Sequence, residues 1–423
     1  MMTKQPSTQH RVLVVAHAHP DFSLGGGELA AYNLFQAYKK QGDIEQAWFL
    51  ARADKGRGAT GHLSQRREGE FLWEQSIQDW HMLKAQHRES LTTWFTDLVK
   101  GLRPTVVHAH HYAHLGLEYL RILRRIDPSM RIILTLHEYM AICRRSGQMV
   151  KTGGMKLCHS SSPDECHQCF PDRSPEDFWL REHFIKSHFD LVDHFVAPSA
   201  FLKQRYVSWG LPEAKISVIE NGQSEAQPLP PRELPNGGTR NRFGFFGQIT
   251  QFKGLTVLLE SLTNLPESER KRVVLEVHGA NLEVQQADFQ QRVRELAEPL
   301  IAQGVVRWVG PYRPEEMPTR MAHVDWVVVP SIWWENSPMV IQEAWGHGRP
   351  VICSDIGGVQ EKVTHGVNGL HVPAGSTLHW GETLSRAAQY KQEWDDLRRG
   401  IQPPLSHQRS AQVHVETIFS HRP

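Results

Sequence analysis

Short β-branched runs alternate repeatedly with helix-length segments along this chain. Runs of this length and composition are typical of buried strands. Strands that alternate with helices predict βαβ crossovers on a parallel sheet, and so an α/β fold. The runs in the first half are RVLVVAHAH, TVVHAHH, RIILTLHE, DHFVAPS and KISVIENG, at residues 11–19, 105–111, 131–138, 193–199 and 215–222.

The same alternation restarts in the second half, where RFGFFGQI, VVLEVHG, VVRWVG, VDWVVVPS and PVICSD are strand-like. A chain of 423 residues exceeds the length of about 250–300 at which one core stops growing. The sequence predicts two Rossmann-like, doubly wound domains, with ligands at the carboxyl ends of the strands, in a cleft between the sheets. We place a disordered N-terminus at 1–10, the domains at 11–222 and 242–389, a proline-rich linker at 223–241, and at 390–423 a tail that could return to the first domain.

Charge excludes a nucleic-acid binder, because 47 Lys and Arg are balanced by 46 Asp and Glu, for a net charge of +1. No secretion signal and no run of about 18 apolar residues is evident, so we expect a cytoplasmic protein whose contact with a membrane is at most peripheral, at its inner face. The helix-like segment FWLREHFIKSHF (178–189) could make that contact through Phe178, Ile185 and Phe189, or could pack on its own domain.

Two glycine loops stand at strand-to-helix junctions. Gly26 and Gly27 precede Glu28, and Gly247 to Gly254 enclose Lys253. Glycines let a phosphate approach the backbone, and free amides at a helix start attract its oxygens. A lysine there suits a diphosphate. The alternatives are a tight turn and a solvated lysine.

Two glutamates follow the strand VDWVVVPS. Glu335 ends the loop, and Glu343 lies on the helix that we expect to begin near Ser337. A half-buried acid needs a partner, and a ribose diol could bind Glu343. The amides of Ser337, Met339 and Val340 would face a ligand from the helix start. Alternatively, both acids merely cap and solvate the helix.

In combination, these motifs closely resemble the family 4 glycosyltransferases. The resemblance rests on Glu, seven residues, Glu after Pro-Ser, on the GQxxxxKG loop before them and on PVICSDIGGVQEKVTHGVNGL after them. It implies the GT-B fold, two Rossmann-like domains facing a central cleft. It also implies retaining transfer of a sugar from a nucleotide diphosphate sugar to a sugar or lipid-linked acceptor, as in the biosynthesis of surface polysaccharide or glycoconjugates.

Carried over by position, the resemblance implies that Glu343 holds the ribose, Glu335 contacts the donor sugar and Lys253 binds the diphosphate. Gln248 stands where the family usually has Arg. His110 would lie near the transferred sugar, and His137 on the acceptor side. The implied catalytic residues are His110, Lys253 and Glu335; the implied donor-binding residues are Gly26, Gly27, Gln248, Lys253, Glu335, Asn336, Ser337, Met339, Val340 and Glu343.

The reaction should need no catalytic metal, because no Asp-x-Asp pair suits a bridging divalent ion. With no carboxylate nucleophile in the matched motifs, we expect the leaving diphosphate to help deprotonate the acceptor. Two alternatives stay open. One is a nucleotide-sugar epimerase or hydrolase on the same fold, and the other is a catalytically degenerate module that only binds the nucleotide sugar.

Four of the five cysteines fall within one polar, turn-rich segment: Cys143, Cys158, Cys166 and Cys169. Such a segment cannot bury a core and would gain most from a metal clip. We expect a structural zinc site of four thiolates, in which His159 or His167 could replace a ligand. An iron–sulfur cluster, unmetallated thiols and a redox pair are the alternatives. Cys353 is a small buried hydrophobe within a strand.

Overall fold

The computed structural model describes residues 9–23, 25–57 and 62–419. The chain forms two compact units, one of residues 1–222 with 405–423 and the other of residues 223–404. The disordered N-terminus that we predict at 1–10 lies, except for its last two residues, outside the described residues.

The first unit contains an eight-stranded sheet in the order β10-β9-β8-β7-β1-β2-β4-β3, and a separate two-stranded sheet of β5 and β6. Neighbours in the large sheet run parallel, except that β3 and β4 are antiparallel. The strands are β1 (His10–Ala16), β2 (Ile44–Ala53), β3 (Leu63–Arg67), β4 (Glu70–Glu74), β5 (Ile77–Asp79), β6 (Lys84–Ala85), β7 (Val106–Ala109), β8 (Arg131–Thr135), β9 (His194–Ala197) and β10 (Ile216–Val218).

Helices connect these strands, as the alternation of the sequence predicts. They are α1 (Gly26–Tyr38), α2 (Arg88–Ser90), α3 (Thr96–Leu102), α4 (Glu118–Ile126), α5 (Pro163–Cys169), α6 (Pro175–Phe189) and α7 (Ala200–Ser208), with π-helical turns at Leu91–Phe95 and Val415–Phe419 and a 3-10 turn at Glu213–Lys215. The order of the strands reverses between β1 and β7. In doubly wound sheets this switch point is where ligands bind, outside the carboxyl ends of the strands.

The second unit is built around a six-stranded, wholly parallel sheet in the order β13-β12-β11-β14-β15-β16. Its switch point lies between β11 and β14. The strands are β11 (Arg242–Gln248), β12 (Val274–Ala280), β13 (Val306–Trp308), β14 (Trp326–Val329), β15 (Val351–Ser354) and β16 (Gly369–Val372). The helices are α8 (Leu255–Asn264), α9 (Glu267–Arg270), α10 (Ala287–Ala302), α11 (Met317–His323), α12 (Met339–Gly346), α13 (Gly357–Lys362), α14 (Thr377–Ala387) and α15 (Lys391–Arg399), with 3-10 turns at Gln251–Lys253 and Pro314–Glu316.

The segment that we predict to be a linker, 223–241, groups with the second unit. Two of its arginines are anchored there, because the Arg232 Nη2 atom lies 2.7 Å and the Arg240 Nη1 atom 3.2 Å from the carboxylate of Asp325. Asp325 is fully buried and is therefore stabilised by this pairing. A proline-rich sequence predicts extended backbone, but it does not reveal these long-range ion pairs.

The last residues belong to the first unit. Helix α16 (His407–His414) packs there, where the Gln41 side chain donates to the Gln408 carbonyl oxygen at 3.2 Å. Residues 391–399 form α15 in the second unit, with Trp394 fully buried. The tail that we predict at 390–423 is therefore divided between the two units.

Candidate functional site

Histidines gather at the switch point of the first unit. His17 follows β1, His110 and His111 follow β7, and His137 lies two residues beyond β8. These side chains come together because the carboxyl ends of neighbouring parallel strands lie at one edge of the sheet.

His110 and His137 form a bonded pair. The His110 Nδ1 atom lies 3.1 Å from the His137 Nε2 atom, and the two rings stack with their centroids 5.3 Å apart. His110 is 2% exposed and His137 is half-buried. Within the described ranges, the buried Nε2 atom of His110 has no hydrogen-bond partner. His137 is therefore the more accessible imidazole, and His110 is placed to orient it.

The glycine loop brings the start of α1 against these rings. A Cβ atom added to Gly27 would lie 3.4 Å from the His17 ring and 3.7 Å from the His137 ring. Glu28, in the first turn, accepts a hydrogen bond of 2.6 Å from the Ser23 hydroxyl and lies 3.2 Å from the His17 Nε2 atom. Burial alone would raise the pKa of Glu28, but His17 and Ser23 lower it to about 2. The backbone at Gly26 and Gly27 thus lies where a ligand could meet helix amides and imidazoles together.

Four residues of this site were missed by the sequence analysis: His17, Glu28, His111 and His114. The rings of His17 and His111 are 4.3 Å apart, and those of His17 and His114 are 5.5 Å apart. The repeated histidines in HAHP and HAHHYAH were the available signal. In a chain with 25 histidines, only the sheet order shows which of them share one edge.

The buried histidines predict a loss of stability in acid. Burial lowers the pKa of His114, His137 and His414 to about 4. For His114 and His137, the charge of His17 adds to this effect. Unfolded histidine titrates near pH 6.5, so between about 6.5 and 4 the unfolded chain binds more protons. Above about pH 6.5 the neutral histidines should contribute fully to the free energy of unfolding. As the pH falls from about 6.5 to 4, that free energy should decrease by up to about 1.4 kcal/mol per histidine per pH unit. Denaturant unfolding of the first unit at stepped pH measures this slope.

His414→Phe tests this explanation, because it keeps a buried ring and removes one titrating group. Among the described residues, the His414 ring contacts Tyr38 and His108, and its Nδ1 atom donates one hydrogen bond to the Ser410 carbonyl oxygen at 2.7 Å. Phenylalanine can keep the ring contacts and loses the hydrogen bond. The variant should show a shallower acid slope than the parent protein. An identical slope would show that other groups cause the acid sensitivity.

In the second unit, the loop after β11 meets the loop after β14. Gly254 has a φ of +73°, and a Cβ atom there would overlap the Pro330 carbonyl oxygen. The Ile332 amide also donates to the Phe252 carbonyl oxygen at 2.9 Å. Glycine is therefore required at 254 both for its left-handed backbone and for this close approach.

This contact brings together two residues that we predict to bind different parts of the donor. The Lys253 Nζ atom lies 2.6 Å from the Glu335 Oε1 atom, which also accepts a hydrogen bond of 2.8 Å from the Ser331 hydroxyl. Glu335 is 5% exposed, whereas the Lys253 side chain is 33% exposed. Burial would raise the pKa of Glu335, but Lys253, together with Ser331 and Trp333, outweighs burial and lowers the pKa. The ammonium group is thus held at the switch point while it stays accessible.

Glu343 lies half-buried on α12 and makes no ion pair in the described part of the chain. Burial raises its pKa to about 7, and its charge contributes to a raised pKa at Tyr312. A carboxyl group in this state gains from a ligand that donates hydrogen bonds to it.

The other donor-binding residues that we predict in the second unit differ in their exposure. Gln248, at the end of β11, is exposed; Asn336, Ser337, Met339 and Val340 are half-buried. Helix α12 begins at Met339, with Pro338 in an extended conformation as its N-cap. Our prediction of a start near Ser337 is therefore early by two residues. The buried Ser337 hydroxyl has no hydrogen-bond partner among the described residues.

The four clustered cysteines converge on one small cavity of about 20 Å³. All four are half-buried, and among the described residues none forms a disulfide bond. A hairpin lies in the chain between Cys143 and Cys158, and in it the Cys158 amide donates to the Met149 carbonyl oxygen at 2.7 Å. Cys166 and Cys169 lie on α5. Across the described residues, no three His, Cys, Asp or Glu side chains form a group that could hold a metal ion.

Helix α6, which we considered for membrane contact, turns its apolar stripe inward. Phe178, Ile185 and Phe189 are buried in their own unit. Arg181, also buried, donates to the Ala141 carbonyl oxygen at 2.5 Å. Of the two possibilities that the sequence leaves open, this stripe therefore follows the second, packing on its own domain. No helix in the described part of the chain is long and apolar enough to cross a membrane.

Comparison with known proteins finds two glycosyltransferase family models that match successive parts of the chain. Residues 24–225 match the family model for Glycosyltransferase Family 4, and residues 229–398 match that for Glycosyl transferases group 1. The two matches lie side by side and together cover most of the chain. They support the resemblance that the motifs indicate.

Two curated relatives are similar over parts of their length. A D-inositol 3-phosphate glycosyltransferase of Corynebacterium aurimucosum is 30% identical over 300 residues, which cover 70% of this chain and 64% of that protein. A lipopolysaccharide 1,2-N-acetylglucosaminetransferase of Salmonella typhimurium is 29% identical over 185 residues, which cover 42% of this chain and 48% of that protein. The chain thus spans about half to two thirds of these relatives.

Solved structures with a GT-B fold are similar over nearly the whole chain. Anabaena Alr3699/HepE, in complex with UDP and glucose, matches with a TM-score of 0.64 and 17% identity, covering 98% of this chain and 100% of that one. Sucrose-phosphate synthase from Thermosynechococcus elongatus matches with a TM-score of 0.66 and 16% identity, covering 97% and 100%. The fold is therefore GT-B, with two Rossmann-like units.

Proposed function

We propose that the protein is a retaining glycosyltransferase that moves a hexose-like sugar from a nucleotide diphosphate sugar to a hydroxyl of a sugar or lipid-linked acceptor. The observation that carries this proposal is the arrangement in the second unit. An accessible ammonium group, Lys253, is held by buried Glu335 at the switch point of a Rossmann-like sheet, near the helix that carries the unpaired Glu343. A diphosphate and a ribose diol are the partners that this set of groups suits.

In the proposed reaction, the bond from the anomeric carbon to the diphosphate oxygen breaks, and a bond from that carbon to the acceptor oxygen forms on the same face. The acceptor proton passes to the leaving diphosphate. Lys253 stabilises the charge that develops on the diphosphate, so catalysis rests on position and electrostatics without a catalytic metal. His137 contacts the sugars, and His110 positions it.

The surroundings keep these imidazoles neutral. Burial, with smaller effects of neighbouring histidines, places the pKa of His110 well below its usual range, and burial together with His17 lowers the pKa of His137 to about 4. Neutral rings can both donate and accept hydrogen bonds, which suits sugar hydroxyls. They would add no second cation for a diphosphate.

The test has two steps. Nucleotide diphosphates and their sugars are first screened by thermal shift, starting with UDP and UDP-glucose, because a bound donor stabilises the folded chain. The stabilising donor is then incubated with and without candidate acceptors. Turnover that needs an acceptor supports a transferase. Turnover of donor alone indicates the epimerase or hydrolase, and binding without any turnover indicates the degenerate module.

The relatives guide the choice of acceptors. The matched proteins are named for transfer to D-inositol 3-phosphate and to lipopolysaccharide. We propose a role in surface polysaccharide or glycoconjugate biosynthesis at the cytoplasmic side of a membrane. A lipid-linked acceptor would require peripheral contact with that membrane.

We also propose that the four-cysteine segment holds one structural zinc ion. The convergence of Cys143, Cys158, Cys166 and Cys169 on one cavity supports this, although their side chains would have to turn toward a common point to bind the metal. The alternative ligands, His159 and His167, do not line the cavity.

Elemental analysis of protein purified without chelator should find about one zinc per chain. Cys166→Ser with Cys169→Ser should remove it, whereas Cys353→Ala, a control within β15, should retain it. The zinc assignment is wrong if no metal is found, or if iron with a visible absorption band is found instead.

A further inference from the structure

A second cavity of about 420 Å³ lies in the first unit, away from the strand ends described above. Four cations line it: Lys84 on β6, Arg88 on α2, and Arg121 and Arg125 on α4. We call this cavity the basic groove. Arg88, Arg121 and Arg125 are exposed, and Lys84 is half-buried.

The sequence of α4 accounts for one wall of the basic groove. Glu118, Arg121, Ile122 and Arg125 recur at spacings of three and four residues, which places them on one helix face. The buried residues of the helix are Tyr119, Leu120 and Leu123. The helix therefore packs through one face and presents a basic face with one isoleucine to the groove.

The positive charge of the basic groove is not neutralised by the protein. Within the residues that the structure describes, none of the four cations makes an ion pair. Glu118 is the single carboxylate in the lining, and it accepts a hydrogen bond of 3.0 Å from the Ala85 amide. Four cations that line one cavity with a single acid repel one another, and an anionic ligand would relieve that repulsion.

The basic groove also has an apolar side. Ile122 and Phe184 line it, and the Lys84 ammonium lies 4.9 Å from the centre of the Phe184 ring. One turn before Phe184 on α6, Leu180 is 52% exposed, as is its neighbour Trp179. The helix that supplies Phe184 to the groove therefore also exposes apolar side chains, and exposed tryptophan and leucine are typical of surfaces that lie at the interface of a membrane.

We propose that the basic groove docks on the headgroups of anionic phospholipids at a bilayer surface. The four cations match the lipid phosphates, and Ile122, Phe184 and Leu180 face the adjoining apolar region. Anionic headgroups complement the charge of the groove, whereas a zwitterionic surface would leave the cations uncompensated. The inference identifies the surface for the membrane contact of the proposed function, but vesicle binding needs no glycosyl transfer, so either proposal can fail alone.

The experiment uses the full chain and sedimentation with two kinds of vesicle. One kind is phosphatidylcholine alone, and the other contains roughly one third phosphatidylglycerol. The protein should sediment with the anionic vesicles and not with the neutral ones, and binding should weaken as ionic strength rises. Equal binding to both vesicles, or binding to neither, overturns the proposal.

Variants locate the contact. Arg121→Glu with Arg125→Glu should weaken binding to anionic vesicles about ten-fold or more, whereas Arg121→Lys with Arg125→Lys should retain most of it. The matched control, Lys40→Glu with Lys100→Glu, makes the same change of net charge at exposed positions outside the groove. It should bind nearly as the parent protein does. If the control loses as much affinity as the groove variant, net charge explains the binding and the groove does not.

All four residues of the two pairs are exposed, so unchanged melting temperatures should show that each variant is folded. A sugar-donor thermal shift that survives in the groove variant would further separate lipid docking from donor binding.

Discussion

Glu343→Ala should weaken nucleotide binding by about a hundred-fold or more while the fold stays intact. Two charge-assisted hydrogen bonds from a ribose diol to this carboxylate would contribute roughly 1.5–3 kcal/mol each. In the free protein the acid is half-buried and burial raises its pKa to about 7, so its removal should cost no folding stability. Calorimetry with the nucleotide diphosphate that stabilises the parent protein measures the effect, with Glu298→Ala as an exposed control.

The pH dependence of binding provides a second readout. The ionised form of Glu343 accepts both hydroxyl groups of a diol, so affinity should rise from about pH 6 to 8 as a pKa near 7 is passed. Glu343→Gln should remove that rise and leave only the titration of the phosphate itself. Unchanged affinity in Glu343→Ala would refute the ribose assignment.

Lys253→Ala should lower kcat/KM for transfer by about a hundred- to a thousand-fold, because it removes the cation that would stabilise the leaving diphosphate. It should also destabilise the second unit by about 2 kcal/mol, since buried Glu335 loses its ion-pair partner and keeps neutral donors such as the Ser331 hydroxyl. The partial exposure of Lys253 keeps this cost below that of a fully buried pair. Transfer kinetics and denaturant unfolding measure the two effects separately.

A double variant separates catalysis from stability. Lys253→Ala with Glu335→Gln replaces the unpaired charge with a neutral amide and should recover most of the lost stability, while transfer stays low. If transfer recovers together with stability, Lys253 acts only as a structural partner of Glu335. Full activity in Lys253→Ala alone would exclude the diphosphate role.

Local patterns predicted most of the strands and the positions of the glycine loops. The prediction for the first unit is less complete, because the sequence patterns do not indicate β2 (Ile44–Ala53) or the β3–β4 hairpin. In β2, apolar and charged residues mix along IEQAWFLARA, and burial between neighbouring strands overrides local preference. Local periodicity also could not show that 223–241 is anchored to Asp325.

The candidate site shows the same division. The spacing of Lys253, Glu335 and Glu343 and their resemblance to a family motif predict that they bind the donor. Their relation to one another is not predicted, because the ion pair of Lys253 with Glu335 joins residues 82 positions apart in the chain. His110 was expected at the sugar, but its 2% exposure and its bond to His137 make His137 the accessible member of the pair.

Strand and helix periodicities and glycine requirements are local properties, so the sequence alone predicts two α/β units and glycine loops that follow strands. Which groups are paired and which stay available depends on the tertiary structure. Sheet order brings distant loops to one edge, and burial then separates the neutralised Glu335 from the unpaired Glu343. The same packing turns the apolar stripe of α6 inward and, in the part of the chain that the structure describes, leaves the cations of the basic groove without ion-pair partners.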